Sequence, residues 1–191
     1  MIILTGKTAT GKDTIKRELL KIPALSPIVT YTTRKKRDNE RDGVDYHFVS
    51  IDKYMSMRDN GELIACNCFT KSNEGDVWYG VAKKDLINAD TDNKVIILDA
   101  HGVKDFQKIR DDVGFSDIFL IDTVPEEQWE RLISRGNDTV EECQRRVLAD
   151  NADFADIQYN HLVINRNVSD IKQIAYTIYT YYLIDKGFTM R

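Results

Sequence analysis

The sequence predicts an α/β fold in which helices flank a parallel sheet. Four uninterrupted apolar runs predict strands that are buried on both faces, as the strands of a parallel sheet are. These runs lie at residues 1–5, 94–99, 117–122 and 161–165. Between them, apolar residues recur three or four positions apart, which predicts helices at residues 12–21, 103–110, 125–135 and 168–183. The alternation of the two patterns indicates a layered α/β domain.

The first strand and the helix after it are the most clearly marked elements. The strand MIILT ends at Gly6, and helical spacing then continues through Ile15 and Leu19. Pro125 marks the start of a later helix, because its fixed φ suits the first helical turn. The sequence therefore predicts a strand, a glycine-containing turn and a helix at the beginning of the fold.

Two segments differ from this pattern and predict inserted parts. Residues 34–82 are rich in charged residues, Asn and Gly, and short alternating stretches at 46–50 and 63–69 predict antiparallel strands. Residues 136–146 are polar and follow a predicted helix, and a second helix is expected to begin near Thr139. We expect one domain with three parts. These are a core (1–33, 83–135 and 155–191), a small lobe (34–82) and a lid (136–154).

Length and composition restrict the classes of function. A chain of 191 residues, 42% of them hydrophobic, is sufficient for one well-packed domain. Its net charge of −4 provides no positive field for nucleic acid or an anionic membrane, so we expect neither as a partner. Three cysteines without paired metal-ligand spacing predict a reducing compartment, and no apolar run reaches the ~18 residues that span a bilayer. We expect a cytoplasmic protein, either a monomer or a homodimer.

A phosphate-binding loop is predicted at residues 6–12, GKTATGK, which have the Gly-x4-Gly-Lys spacing. Gly6 and Gly11 permit torsions that turn backbone N–H groups inward, and the following helix adds its positive end. Lys12 supplies a charge for the β- and γ-phosphates of ATP. The alternative is an ordinary strand-helix turn with an exposed lysine. The residues expected to bind ATP here are Gly6, Thr8, Ala9, Thr10, Gly11, Lys12, Asp13 and Thr14.

The position after the loop lysine departs from the usual motif. Asp13 stands where a Ser or Thr hydroxyl commonly reaches Mg²⁺. A carboxylate beside phosphates is repelled by them unless a cation lies between. We therefore expect Mg²⁺ as the cofactor of ATP, bound by Asp13 directly or through water, or by Thr14 and another acid. Asp99, at the end of a predicted strand, is a second candidate metal ligand.

Four cations are concentrated at residues 34–37 (RKKR) in a chain that is otherwise slightly acidic. The planar guanidinium groups of Arg34 and Arg37 are suited to binding one phosphate through paired hydrogen bonds. Tyr46 adds a phenol donor nearby. The alternative is a solvated run of charges. The cluster predicts a second anion site, separate from the phosphate loop.

At this point the sequence resembles the guanylate kinase family, over nearly the whole chain. Residues 32–50, TTRKKRDNERDGVDYHFVS, are similar to the family signature Thr-Thr-Arg-x-x-Arg-x-x-Glu-x-x-Gly-x-Asp-Tyr-x-Phe-Val-Ser. The segments YG at 79–80, LDAHG at 98–102 and RLISRG at 131–136 follow in the family's order. The resemblance implies the P-loop NTPase type of α/β fold. It also implies a nucleoside monophosphate kinase (EC 2.7.4 type) that phosphorylates GMP or dGMP with ATP.

The resemblance further implies a role for each matching residue. Residues expected to bind the acceptor phosphate are Arg34, Arg37, Tyr46 and Tyr79, with Glu40 supporting the arginines. Residues expected to act on the transferring phosphoryl group are Lys12, Arg131, Arg135 and Arg146, while Asn165 is expected near the donor base. Phosphoryl transfer needs mainly alignment and charge neutralisation, which arginines supply. For Arg131 and Arg135, which share a helix face, the alternative is pairing with acidic neighbours.

Several positions that read the base in the family differ here. The resemblance assigns base contacts to a Ser, a Glu and a Ser or Thr, which correspond to Thr30, Ala65 and Val81 in this chain. Thr30 keeps a hydroxyl and stays a candidate acceptor contact. Ala65 and Val81 lack polar groups, and losing such contacts relaxes or redirects selection among substrates. Asp99 is expected to contact the acceptor base or the metal, with helix capping as the alternative.

Two other functions compete with this prediction. The segments GKD at 11–13 and YGV at 79–81 also resemble ribose 1,5-bisphosphate kinases, although the string from Arg37 to Tyr46 favours a nucleotide acceptor. Another deoxynucleotide is a further alternative. Guanylate-kinase-like modules that only bind partner peptides have usually lost the loop lysine and the lid arginines. Both features are present in this chain, which favours an enzyme.

Overall fold

A computed structural model describes residues 1–38, 40–71, 75–87, 90–136, 138–166 and 170–188. The chain divides into two units. The large unit comprises residues 1–26, 93–100 and 115–191, and the small unit comprises residues 27–92 and 101–114. Among the described residues, no helix combines the length and apolarity needed to cross a membrane.

Nine strands and six helices are numbered in chain order within the described part of the chain. The strands are β1 (Ile2–Thr5), β2 (Ser26–Pro27), β3 (Tyr31–Thr32), β4 (His47–Phe48), β5 (Leu63–Lys71), β6 (Gly75–Ala82), β7 (Lys94–Ile97), β8 (Asp117–Asp122) and β9 (His161–Ile164). The helices are α1 (Lys12–Leu19), α2 (Ile51–Asp59), α3 (Ala100–Lys108), α4 (Pro125–Ser134), α5 (Val140–Asp153) and α6 (Ile171–Asp185).

The large unit is built on a five-stranded sheet with the order β2-β7-β1-β8-β9. Parallel pairing joins β1 to β7 and to β8, and joins β8 to β9. Ile3, in the central strand, lies opposite Ile96 on one side and Ile118 on the other. The predicted parallel sheet is therefore confirmed, and each of the four apolar runs supplies one of its strands.

Helices α1 and α6 cover a core that is continuous with this sheet. Every residue of β1 is 0% exposed, as expected for a strand with helices on both faces. Ile15 and Leu19, four positions apart on α1, join the same apolar cluster as Ile178 and Tyr182, four positions apart on α6. Predicted residue 168, at the start of the last helix, lies outside the described residues.

The small unit contains a second sheet with the order β4-β3-β6-β5. β6 pairs antiparallel with both β3 and β5, as the alternating pattern predicts. β3 and β4 instead run parallel, because the long connection after Thr32 returns the chain before it enters His47. The connection from β5 to β6, residues 72–74, lies outside the described part of the chain.

Two helices begin at side-chain caps. The Ser50 hydroxyl accepts a hydrogen bond from the Lys53 N–H at the start of α2. The Thr139 hydroxyl accepts one from the Glu142 N–H at the start of α5, where the sequence predicts a helix. Such caps satisfy N–H groups that have no partner within the helix.

Candidate active site

The phosphate loop connects β1 to α1, and close backbone packing requires glycine at both of its ends. A Cβ at Gly6, where φ is +144°, would lie 2.1 Å from the carbonyl oxygen of Ile121. A Cβ at Gly11, where φ is +95°, would lie 2.3 Å from Nδ2 of Asn165. The loop is therefore held against β8 and against the segment after β9.

Lys12 begins α1, and its ammonium group folds back over the loop. Nζ donates to the carbonyl oxygens of Gly6 at 2.7 Å and Lys7 at 2.6 Å. Burial lowers the pKa of Lys12 to about 8, while the charges of Asp13 and Asp150 raise it and those of Arg135 and Arg146 lower it further. The loop thus holds a poorly solvated cation among groups of both signs, as a site for polyanionic phosphate needs.

Asn165 is only 2% exposed and connects the loop to the end of β9. Its Nδ2 donates to the Thr10 carbonyl oxygen at 2.8 Å, and its backbone N–H donates to the Asp122 carbonyl oxygen at 2.8 Å. These contacts hold the second half of the loop in place. A contact of Asn165 with the donor base stays a prediction.

Helix α5 contacts the loop through three polar side chains. The Thr8 N–H donates to Oδ2 of Asp150 at 2.5 Å, and Nη2 of Arg146 donates to the Thr8 hydroxyl at 2.8 Å. Nζ of Lys7 donates to Oδ1 of Asn151 at 2.8 Å. Sequence analysis selected Arg146 but missed Asp150, although their spacing of four residues places both on one face of a helix. The structure therefore brings a carboxylate as well as a guanidinium to the loop.

Helix α4 contacts the same loop. Nε2 of Gln128 donates to the Thr8 carbonyl oxygen at 2.9 Å. Sequence analysis missed Gln128, and its spacing of four from Leu132 is the signal that places it on the buried face. Leu132 itself packs with Ala9 of the loop and Cys143 of α5. The loop is thus enclosed by apolar as well as polar contacts from both helices.

Arg131 of α4 and Arg135, which directly follows that helix, differ in their surroundings. Nη2 of Arg131 donates to Oε2 of Glu127 at 2.5 Å and to the Asn165 carbonyl oxygen at 3.1 Å. Arg131 therefore makes the acidic pairing that was the alternative to a phosphate contact. Arg135 is exposed, and its charge is close enough to lower the pKa of Lys12.

Two carboxylates of the large unit offer the hard oxygen atoms that Mg²⁺ prefers. Asp13 is exposed directly after Lys12, and its charge is near enough to raise the pKa of that lysine. Thr14, the other predicted ligand, is partly buried beside it. Asp99 lies between the end of β7 and the start of α3 and is also partly buried. The donor chemistry at Asp13 fits a magnesium ion that accompanies phosphates.

In the small unit, Arg34 is the centre of a second polar cluster. Its side chain is only 4% exposed, and Nη2 lies 2.6 Å from Oε1 of Glu40. Nη1 donates to the Lys35 carbonyl oxygen at 2.8 Å, and the guanidinium carbon lies 5.4 Å from the ring centre of Tyr46. Burial alone would lower the pKa of Arg34, but Glu40 and the Tyr79 phenol raise it. Arg34 is therefore a fixed, permanent cation.

Glu40 organises both arginines of the sequence signature. Burial alone would raise the pKa of Glu40, but hydrogen bonds from the Arg34 side chain and the Arg37 N–H lower it. The Arg37 N–H lies 2.8 Å from Oε2, whereas the Arg37 side chain is exposed. The carboxylate therefore stays ionised and orients the loop that carries the cations.

The remaining predicted acceptor residues lie in the same unit. The rings of Tyr46 and Tyr79 meet edge to face, with centres 5.9 Å apart. The carbonyl oxygen of Tyr79 accepts from the buried Tyr54 hydroxyl at 2.6 Å. Thr30 is partly buried, and its carbonyl oxygen accepts from the His47 N–H. The structure thus gathers Arg34, Glu40, Tyr46 and Tyr79 into one cluster.

Ala65 and Val81, the apolar residues at two expected base-reading positions, also lie in the small unit, and both are buried. Ala65 is 7% exposed and Val81 is 1% exposed. Ala65 has a φ of +50° at an irregularity in the pairing of β5 with β6. It lines a cavity of about 340 Å³ together with Arg58, Cys66, Asp105 and Lys108.

The chain is similar to known proteins of one family. The sequence model of the guanylate kinase family matches residues 1–180. A guanylate kinase from Brucella melitensis is 32% identical over 176 residues, covering 88% of this chain and 76% of that protein. One from Lactobacillus johnsonii is 29% identical over 173 residues, covering 89% of this chain and 82% of that protein.

A solved structure shares the fold. The crystal structure of guanylate kinase from Anaplasma phagocytophilum superposes with a TM-score of 0.64 at 23% identity. The match covers 99% of this chain and 87% of the other. The fold of this chain is therefore a known one.

Proposed function

Because the chain belongs to the guanylate kinase family, we propose that its phosphate loop binds ATP and that the Arg34 cluster binds the phosphate of GMP. Members of this family are transferases that phosphorylate a nucleoside monophosphate with ATP, and this chain is a nucleoside monophosphate kinase. The observation that carries the assignment of sites is the loop between β1 and α1, with Lys12 folded over it.

The loop residues supply what phosphoryl transfer needs on the donor side. The reaction requires alignment and charge neutralisation more than covalent help. Lys12 is proposed to place its charge at the β- and γ-phosphates, and the proposed catalytic arginines Arg131, Arg135 and Arg146 add charge from α4, from its C-terminal end and from α5. Arg146 already contacts Thr8, which supports its role. Asn165 supports ATP binding by holding the Thr10 carbonyl of the loop.

The Arg34 cluster supplies a preorganised anion site on the acceptor side. Glu40 and the Lys35 carbonyl oxygen fix the guanidinium plane of Arg34, so little side-chain entropy is lost when phosphate binds. Tyr46 and Tyr79 add phenol donors to the same cluster. Arg37 is proposed to complete it from the exposed loop. We assign the base end of the acceptor to Thr30.

Mg²⁺ is proposed as the cofactor of ATP, with Asp13 as its first protein ligand and Asp99 as a second. The ion, when bound, neutralises charge on the β- and γ-phosphate oxygens. Asp13 would otherwise repel the phosphates that Lys12 attracts.

We assign residues 34–82 as the acceptor-binding lobe and residues 136–154 as the lid. Residues 1–33, 83–135 and 155–191 are proposed as the core. A cytoplasmic location is proposed because Cys66, Cys68 and Cys143 are all free thiols.

An acceptor screen tests the proposal. ADP release from MgATP is measured with GMP, dGMP, the other ribo- and deoxynucleoside monophosphates and ribose 1,5-bisphosphate. We expect the highest kcat/KM for GMP or dGMP. A higher value for another acceptor would show that Ala65 and Val81 have redirected the site, and turnover of ribose 1,5-bisphosphate alone would contradict a nucleotide acceptor.

A loop variant shows whether turnover belongs to this site. Lys12→Ala removes charge stabilisation of the transition state and is expected to lower kcat by about 10³. Lys21→Ala is the matched control, because Lys21 is an exposed lysine paired with Glu18. Wild-type turnover in Lys12→Ala would exclude the loop as the donor site.

A further inference from the structure

We propose that Asp150 is an internal competitor of ATP, because its carboxylate binds the phosphate loop at the Thr8 N–H and must leave before the phosphates of ATP bind there. Asp150 lies on α5, and Oδ2 accepts the Thr8 N–H at 2.5 Å. The inference rests on the proposed function, in which this loop binds ATP.

The carboxylate already has the partners that a phosphate needs. Burial raises the pKa of Asp150, as the like charge of Asp153 does, while the Thr8 N–H and the charges of Lys12 and Arg146 lower it. Loop N–H groups, a lysine and an arginine are the groups that bind a phosphate oxygen. Two anions cannot share one N–H in so small a space, since like charges repel strongly where water is scarce. Asp150 and ATP therefore exclude each other at Thr8.

Displacement of Asp150 involves more of α5 than one side chain. Arg146 contacts the Thr8 hydroxyl, and Asn151 accepts from Lys7, so three α5 residues are attached to adjacent loop positions. When ATP displaces the carboxylate, these neighbouring contacts are free to rearrange around the phosphates. Asp150 is thus a positioning residue that makes ATP binding and the position of α5 depend on each other.

The competition lowers the apparent affinity for ATP. If the contact is favoured by about tenfold over its open form, the apparent Kd rises by about tenfold, because only the open fraction binds. Asp150→Asn keeps the size of the side chain and an acceptor oxygen but removes the charge that strengthens the hydrogen bond. Removing this charge is therefore expected to tighten the binding of anionic nucleotides.

The test is calorimetric binding of MgATP, ADP and adenosine to the wild-type protein and to Asp150→Asn. We expect a Kd for MgATP about tenfold lower in the variant, a smaller decrease for ADP and no change for adenosine. Asp156→Asn is the matched control, since it removes an exposed carboxylate just beyond α5 and is expected to bind all three like the wild type. Asp150→Ala gives the same comparison if Asp150→Asn does not fold.

Each other outcome decides against the inference in a distinct way. Equal MgATP affinity in the wild type and in Asp150→Asn would show that no competition exists. Weaker MgATP binding in the variant would make Asp150 a ligand of the nucleotide or its metal, and an equal gain for adenosine would indicate a purely structural effect. If the wild-type protein and both variants bind no MgATP, the proposed donor site itself fails, and the inference fails with it.

Discussion

Arg34 shows how single residues of the acceptor cluster are prepared for an anion. Its side chain is almost fully buried, and Glu40 accepts a hydrogen bond from Nη2 while the Lys35 carbonyl oxygen accepts one from Nη1. Tyr46 lies against the guanidinium, which limits its mobility. A buried and oriented cation of this kind binds phosphate without paying again for its own ordering.

Arg34→Ala is expected to weaken GMP binding far more than ATP binding. Charge-assisted hydrogen bonds contribute about 2–3 kcal/mol, so the KM for GMP should rise on the order of 100-fold. Initial rates at varied GMP and calorimetry with MgATP measure the two effects. Lys35→Ala, which removes the exposed cation next to it, serves as the control. An equal loss of affinity for GMP and for ATP would show that Arg34 has been assigned to the wrong ligand site.

Lys12 provides a prediction about pH. Burial lowers its pKa to about 8, so the side chain is protonated below pH 8 and loses its charge as pH rises through that value. ATP affinity should therefore fall between pH 7 and pH 9, approaching tenfold per unit of pH above 8. Calorimetry from pH 7.0 to 9.5 measures this fall. Lys12→Arg keeps its charge throughout, so a fall of the same size in that variant would assign the titration to another group.

Sequence reasoning at this scale found the residues that belong to contiguous motifs. Lys12 and Arg34 were selected because their neighbours carry a recognisable spacing. Gln128 and Asp150 were missed because each is an ordinary polar residue on a helix. Their contacts with Thr8 depend on how α4 and α5 pack against the loop.

At the scale of elements, α5 connects the chemistry to local stability. The helix carries Arg146 and Asp150, and it begins at the Thr139 cap. Its only side chain buried in the core is Cys143 among the described residues of the helix. A helix with so little buried apolar surface depends on its cap and on its contacts with the loop, and such helices are the ones that open locally.

Thr139→Ala is expected to destabilise α5 by about 1 kcal/mol, because the Glu142 N–H loses its acceptor. Amide hydrogen exchange within residues 140–153 should become about fivefold faster, while exchange in β1 and β8 stays unchanged. Thr139→Ser keeps the hydroxyl and should exchange like the wild type. Identical exchange of α5 in Thr139→Ala and wild type would mean that loop contacts alone hold the helix.

At the scale of the whole molecule, the two proposed anion sites belong to different units. The phosphate loop, α4 and α5 lie in the large unit, and the Arg34 cluster lies in the small unit. Each unit has its own sheet and its own apolar cluster. Binding of ATP and binding of GMP are therefore each expected to stabilise a separate cooperative region.

Hydrogen exchange with one ligand at a time tests this division. An ATP analogue should protect backbone amides at residues 6–12, and GMP should protect those at residues 31–48, since a ligand stabilises the region that binds it. The control is Arg34→Ala, in which GMP should protect neither segment. Strongest protection of residues 31–48 by the ATP analogue would show that the two sites have been assigned to the wrong units.

The sequence by itself determined the fold class, the family and the place of the phosphate loop. It did so because these properties reside in local patterns: apolar runs, helical spacing and a contiguous motif between a strand and a helix. Only the tertiary structure decided that Gln128 and Asp150 meet the loop, and that Asn165 contacts it through the Thr10 carbonyl oxygen. It also decided the parallel pairing of β3 with β4. Such contacts join positions far apart in the chain, so they depend on the packing of whole elements, which local spacing does not encode.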